Sequence, residues 1–183
     1  MSISSRSTRS RRRLPLVVGV ASAVGAMLAL SSPTASAVAP LTATASYNCG
    51  SWGSGVATLT AADSGTNKTI KITSTAITMP AGTSADPNSI TTTLKLTKTS
   101  GGVTSQVQFS AKANPGLSGG NPITLGPLKL TSGTLASGNS TNSTVLPAPP
   151  STTNWSLQIV ASSPTSATVP CVATTSQSAP FVW

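Results

Sequence analysis

A chain of 183 residues with 11 Lys and Arg, two acids and no His is only 7% charged, against roughly 25% for an ordinary soluble domain. General acid–base catalysis draws mainly on His, Glu and Asp, so Ser–His–Asp and Cys–His sites are excluded and most other hydrolytic machinery lacks its parts. The expectation is a protein that is not an enzyme and takes no cofactor.

The chain opens on a secretory leader. Arg6, Arg9, Arg11, Arg12 and Arg13 precede an apolar run from Leu14 to Leu30, and the following small residues end in Ala35-Ser36-Ala37, an Ala-x-Ala peptidase pattern. Residues 1–37 are read as a signal peptide and 38–183 as one domain, with an uncleaved anchor as the competing reading because the run reaches the short limit of a membrane span. Ser10-Arg11-Arg12-Arg13-Leu14 partly matches a twin-arginine signal, which leaves the export route open.

Removing the leader changes the charge. Residues 38–183 carry six Lys, two Asp and no Arg, so their net charge is +4 instead of +9. Lys68, Lys71, Lys95, Lys98, Lys112 and Lys129 stand singly, whereas phosphate-backbone binding needs clustered cations. Nucleic acid is not an expected partner. No Cys follows the cleavage site closely enough for lipidation and no later segment could span a bilayer, so the expected product is secreted, extracellular and free of the membrane.

From Leu41 to Thr174 the chain reads as strands of period two. Tyr47 and Cys49 share a face in the first strand, and Ile70 with Ile72 in the third. Thr92, Leu94 and Leu96 then alternate with Thr91, Thr93, Lys95 and Thr97, and Val107, Phe109 and Ala111 with Gln106, Gln108, Ser110 and Lys112. Trp155, Leu157, Ile159 and Ala161 share a face in a late strand, and Val169 and Cys171 in the last. Turn chemistry separates these runs at Asp63-Ser64-Gly65, Asp86-Pro87-Asn88, Ser100-Gly101-Gly102, Asn114-Pro115-Gly116 and Pro147-Ala148-Pro149-Pro150. Ser and Thr form about a third of residues 38–183, and Thr suits the wet face of a strand without adding charge. The fold class is all-β: an antiparallel two-sheet sandwich, immunoglobulin-like in architecture only, with a partly open barrel second. Disorder, the other reading of such a composition, conflicts with the periodic apolar residues.

Cys49 and Cys171 are the only cysteines, and an even count in a small exported domain favours a disulfide, here between the first and last strands. Closing a loop of ~120 residues would stabilise the fold by roughly 5 kcal/mol in the chain-entropy model. A metal pair fails for want of further ligands.

Other chemistry is sparse. Asp63 and Asp86 each stand in a turn signature, where Asp bonds its own backbone, so a two-carboxylate glycosidase is not expected. Ser110 and Lys112 share the wet face of one strand and lack a penicillin-recognising spacing. Calcium would need several oxygen ligands; no Asp-x-Asp occurs, and only a site of backbone carbonyls stays open. Asn67, Asn139, Asn142 and Asn154 head Asn-x-Ser/Thr triplets, which matter only in a eukaryotic secretory pathway.

The aromatic residues are the better candidates for function. Trp52 stands in the loop Cys49-Gly50-Ser51-Trp52-Gly53-Ser54-Gly55, either folded back over the disulfide or exposed to stack on a sugar or anchor a partner. Trp155 is read as core. Phe181-Val182-Trp183 must either pair as a final strand or stay available to a partner.

With the Arg-rich leader, Ala43-Thr44-Ala45-Ser46-Tyr47-Asn48-Cys49 and the distant Cys171-Val172-Ala173-Thr174 resemble small secreted proteins of actinomycetes that begin with a Tyr-x-Cys strand and end with a second Cys. The resemblance implies secretion and a disulfide-closed β-sandwich, and supplies no catalytic residue. The functional expectation is a secreted, non-enzymatic protein that binds another extracellular or cell-envelope protein through a free sheet edge or a Phe181/Trp183 patch. The alternatives are a carbohydrate- or cell-wall-binding module using Trp52, with Tyr47 or Trp155 beside it, and an enzyme inhibitor acting through the loop from Asn114 to Pro122.

Overall fold

The computed structural model describes residues 38–183; the leader, its cleavage after Ala37 and the export route lie outside the described residues. The strands are β1 (Thr42–Asn48), β2 (Ser54–Ser64), β3 (Asn67–Thr78), β4 (Ser84–Ala85), β5 (Ile90–Ser100) and β6 (Val103–Lys112). They continue as β7 (Leu117–Ser118), β8 (Pro122–Ser132), β9 (Ser140–Ser143), β10 (Leu157–Ala161), β11 (Ala167–Ala173) and β12 (Phe181–Val182). Helical structure among the described residues is one 3-10 turn, Gly50–Trp52, and no helix there is long and apolar enough to cross a membrane.

Side-chain alternation decides which way each strand faces. Along β5, Ile90, Thr92, Leu94 and Leu96 are buried, while Thr91, Thr93, Lys95 and Thr97 lie on the outer side. Tight turns then fix the register. Gly101-Gly102 joins Ser100 to its cross-strand partner Val103, and the φ angles of 55° and 81° at the two glycines are the left-handed values that a type I′ hairpin requires at both central positions. The sequence Ser-Gly-Gly is therefore the cause of the β5–β6 hairpin and not merely its marker.

The long strands pair in the order β10-β11-β1-β2-β3-β8-β6-β5, and β5 pairs back onto β10, so eight antiparallel strands close into a ring. Eight strands leave an interior just wide enough for side chains to fill. Small residues such as Ala43, Ala45, Ala57 and Ala61 make room there for Tyr47, Phe109, Phe181 and Trp183, all within one hydrophobic cluster.

The all-β, antiparallel character matches the sequence reading; the two-sheet, immunoglobulin-like separation does not describe the ladder that forms. The physical reason is the length of β5. Its residues 90–94 pair with β10 and its residues 96–99 with β9, so one strand serves two neighbours and bridges what would otherwise be the gap between two sheets. Alternation reports which face is buried but not which strand lies next door, so the closure is invisible to it.

The disulfide forms between Cys49 and Cys171, which are 122 residues apart in sequence. Tyr47 pairs with Ala173 and Asn48 with Val172. The next opposed pair is Cys49 and Cys171, with Cα atoms 4.1 Å apart. The bridge thus staples two adjacent strands at the end of their shared ladder. It does not reach the last strand as expected, because β12 follows β11.

Candidate functional site

Three aromatic side chains were the sequence-level candidates for contact, and all three are interior: Trp52 is 5% exposed, Phe181 0% and Trp183 1%. Trp52 is folded back by its own turn, where its N–H donates to Cys49 O at 3.2 Å and the Gly53 N–H to Gly50 O at 3.0 Å. Only a margin of the indole borders a cavity of about 220 Å³, shared with Met79, Pro80, Thr83, Ala161 and Thr165. Ligand pockets usually enclose roughly 300–1,000 Å³, and a ring so deeply covered offers no face for stacking. Tyr47, the suggested companion, is 1% exposed and equally unable to form a platform.

Phe181-Val182-Trp183 takes the paired alternative. Phe181 and Val182 oppose Thr141 and Ser140 of β9. On the other side Ala39 N–H donates to Val182 O at 3.1 Å, and Val182 N–H to Ala39 O at 2.8 Å. Trp183 stacks on Phe109 with centroids 5.6 Å apart, meets Phe181 edge-on at 6.3 Å, and donates its Nε1–H to Thr141 Oγ1 at 2.9 Å. The expected edge and apolar patch are therefore occupied from within the chain. The Asn114–Pro122 loop is also tied down: Asn114 Oδ1 accepts from Ile90 N–H and its Nδ2–H donates to Asp86 O, both at 2.8 Å. β7, within the loop, pairs with β4.

The aromatic that does reach the surface is one read as core. Trp155 lies in the irregular lead-in to β10, just before the alternation begins, and is half-buried, unlike Leu157 and Ile159. The strand starts two residues later than the periodicity suggests, because Ser156 is drawn inward: its Oγ accepts from Ala173 N–H at 2.7 Å and its carbonyl from Lys95 N–H at 2.7 Å. That bond brings β5 alongside, and Lys95 Nζ sits 3.3 Å from the centroid of the Trp155 ring. Burial holds this ammonium below the ordinary lysine range. Around it on the outer face stand Gln108, opposite Lys95, and Gln158, opposite Thr93. Thr93 and Ser110 share a hydroxyl–hydroxyl bond of 2.9 Å. The result is an indole, an ammonium, two amides and several hydroxyls on one side of the barrel. A charged residue in the alternating Thr91–Thr99 run was the available signal, but nothing in the sequence said which ring it would meet.

The two carboxylates are engaged differently, Asp63 in its own turn and Asp86 across the fold. Asp63 Oδ1 accepts from Gly65 N–H at 2.9 Å and Oδ2 pairs with Lys68 directly across the β2–β3 hairpin. Asp86 Oδ2 accepts from Ser163 Oγ at 2.6 Å, and its carbonyl from Ser89 and Asn114. Ser110 Oγ is engaged with Thr92 O and Thr93 Oγ1, not with Lys112. Burial pushes the Tyr47 hydroxyl up to about 12, outweighing its bond to Ser143. Among the described residues no cluster of three or more His, Cys, Asp or Glu could hold a metal ion. No family model, curated protein or solved structure matches the chain.

Proposed function

We propose that this chain is an exported, non-enzymatic binding protein that meets an extracellular or cell-wall glycan on the outer face of β10, β5 and β6, around Trp155. The observation that carries the reading is that, of six aromatic residues, five are buried and Trp155 alone is only half-buried. An aromatic ring on the same outer face as amide and hydroxyl side chains suits a sugar, whose C–H face packs on the ring while its hydroxyls bond to those groups. The disulfide agrees with an oxidising compartment.

The protein-partner form of the binding reading has less support, since the free edge and the 181–183 patch that motivated it are used internally. Titration of tryptophan emission with soluble peptidoglycan, chitin and cellulose fragments tests the proposal. The expected result is a saturable change in the wild type that disappears in Trp155→Phe while the buried Trp52 and Trp183 continue to emit. Emission indifferent to all three fragments would remove the glycan reading.

A further inference from the structure

Lys95 differs from the other five lysines of the barrel. Lys68 is paired with Asp63 and Lys98 Nζ–H donates to Thr134 O at 3.1 Å, while Lys71, Lys112 and Lys129 are exposed to water. Lys95 is half-buried, and among the described residues its ammonium has neither a carboxylate nor a hydrogen-bond acceptor. Its one close partner is the Trp155 ring. Neither Asp meets it: Asp63 is paired with Lys68 and Asp86 accepts from the Ser163 hydroxyl.

A partly desolvated cation beside a half-buried ring is poorly matched to a neutral sugar, which would compete for the ring without using the charge. It is well matched to a ligand that brings an anion, because a charge-assisted hydrogen bond is shorter and roughly twice as strong as a neutral one. Lys95 has Gln108 across from it on β6, and Thr93 and Thr97 beside it on the outer face of β5. The Thr93 proton goes to Ser110 Oγ, whose own goes to Thr92 O, and Thr97 is bonded to Thr144, so ligand hydroxyls adjoining the acidic group would meet acceptor oxygens at the two threonines and the Gln108 amide across from them.

We propose that Lys95 is the charge-selecting contact of the Trp155 surface and that the ligand is an anionic glycan, with a carboxylate or phosphate next to the sugar ring that meets Trp155. This inference rests on the glycan reading above. The competing structural role is a cation–π cap whose only purpose is to shield the indole. That role would alter stability on substitution but not ligand preference.

The test uses the exported protein and three probes: an oligogalacturonate, a sugar-phosphate oligomer, and a neutral cello-oligosaccharide of equal length. Inorganic phosphate and free galacturonate serve as anion controls. The expected result is that one of the two acidic oligomers, which identifies the carboxylate or the phosphate, binds about tenfold more tightly than the neutral one and weakens as salt is raised. Lys95→Met, which keeps the stem and loses the charge, should abolish that preference while leaving neutral binding in place. Equal affinity for acidic and neutral oligomers, a preference that survives Lys95→Met, or binding of the small anions as tight as that of the oligomers would overturn the inference. In the first two cases, neutral binding lost in Trp155→Phe would leave the glycan reading standing. Failure of every saccharide to bind would overturn both.

Discussion

Replacing Trp183 by alanine tests whether residues 181–183 belong to the core. The ring is 1% exposed, is stacked on Phe109 and bonds Thr141 Oγ1 through Nε1. Trp→Ala in a packed core costs about 3–5 kcal/mol, and it leaves the buried Thr141 hydroxyl without its donor, a penalty of about 1–3 kcal/mol. Against a total stability of roughly 5–15 kcal/mol, the variant should be marginal. At about 2–4 °C per kcal/mol for a domain of this size, the packing loss alone lowers the melting temperature by roughly 6–20 °C. Trp183→Phe keeps the stack on Phe109 and loses the hydrogen bond, so its cost should be clearly smaller. Urea unfolding followed by circular dichroism measures both. If Trp183→Ala unfolds within about 1 kcal/mol of wild type, the ring is not part of the core, and the argument that β12 is closed to partners falls with it.

Among the described residues Thr92 Oγ1 is buried without a partner, so Thr92→Val should leave stability unchanged or raise it by about 1 kcal/mol in thermal unfolding. Gln177 buries both its side-chain polar atoms with no partner among the described residues, and Gln177→Met should likewise be tolerated; a loss above roughly 2 kcal/mol in either variant would mean that the group is bonded in solution. Removing both cysteines should cost about 3–5 kcal/mol, read from the same denaturation curves. Tyr47 gives the pH dependence: its hydroxyl is raised from 10.0 to about 12 by burial, so the folded state holds a proton that the unfolded state releases. The associated stability is complete below pH 10 and is lost as pH rises towards 12, by about 2–3 kcal/mol. Tyr47→Phe should flatten that part of the stability–pH curve.

The strands were legible because each side of the barrel wall meets a different solvent. Leu94, Leu96, Val107 and Phe109 alternate with Thr and Gln, and the turns at Asp63-Ser64-Gly65 and Ser100-Gly101-Gly102 form as read. The Cys49–Cys171 bridge followed from count and compartment alone. What was not legible is adjacency. Ring closure depends on residues 90–94 of β5 pairing with β10, beside β9 on the same edge, and no residue on β5 announces which partner it takes.

The position of Trp155 is hidden from the sequence for a related reason. Trp155, Leu157 and Ile159 share one period-two face in sequence, yet the period holds only where the backbone is a strand. Ser156 ends it by turning its hydroxyl to Ala173 N–H, inside the barrel, and the indole one residue earlier is left on the rim. For Trp52 and for Phe181-Val182-Trp183 the sequence leaves both a buried and an exposed alternative open, and the buried one forms: Trp183 packs on Phe109 of β6 and bonds Thr141 of β9, groups distant in sequence. In a chain with six aromatic residues and 7% charge, burial consumes rings as readily as function does. The informative residue is then the one ring that the fold leaves half-buried, together with the lysine placed over it.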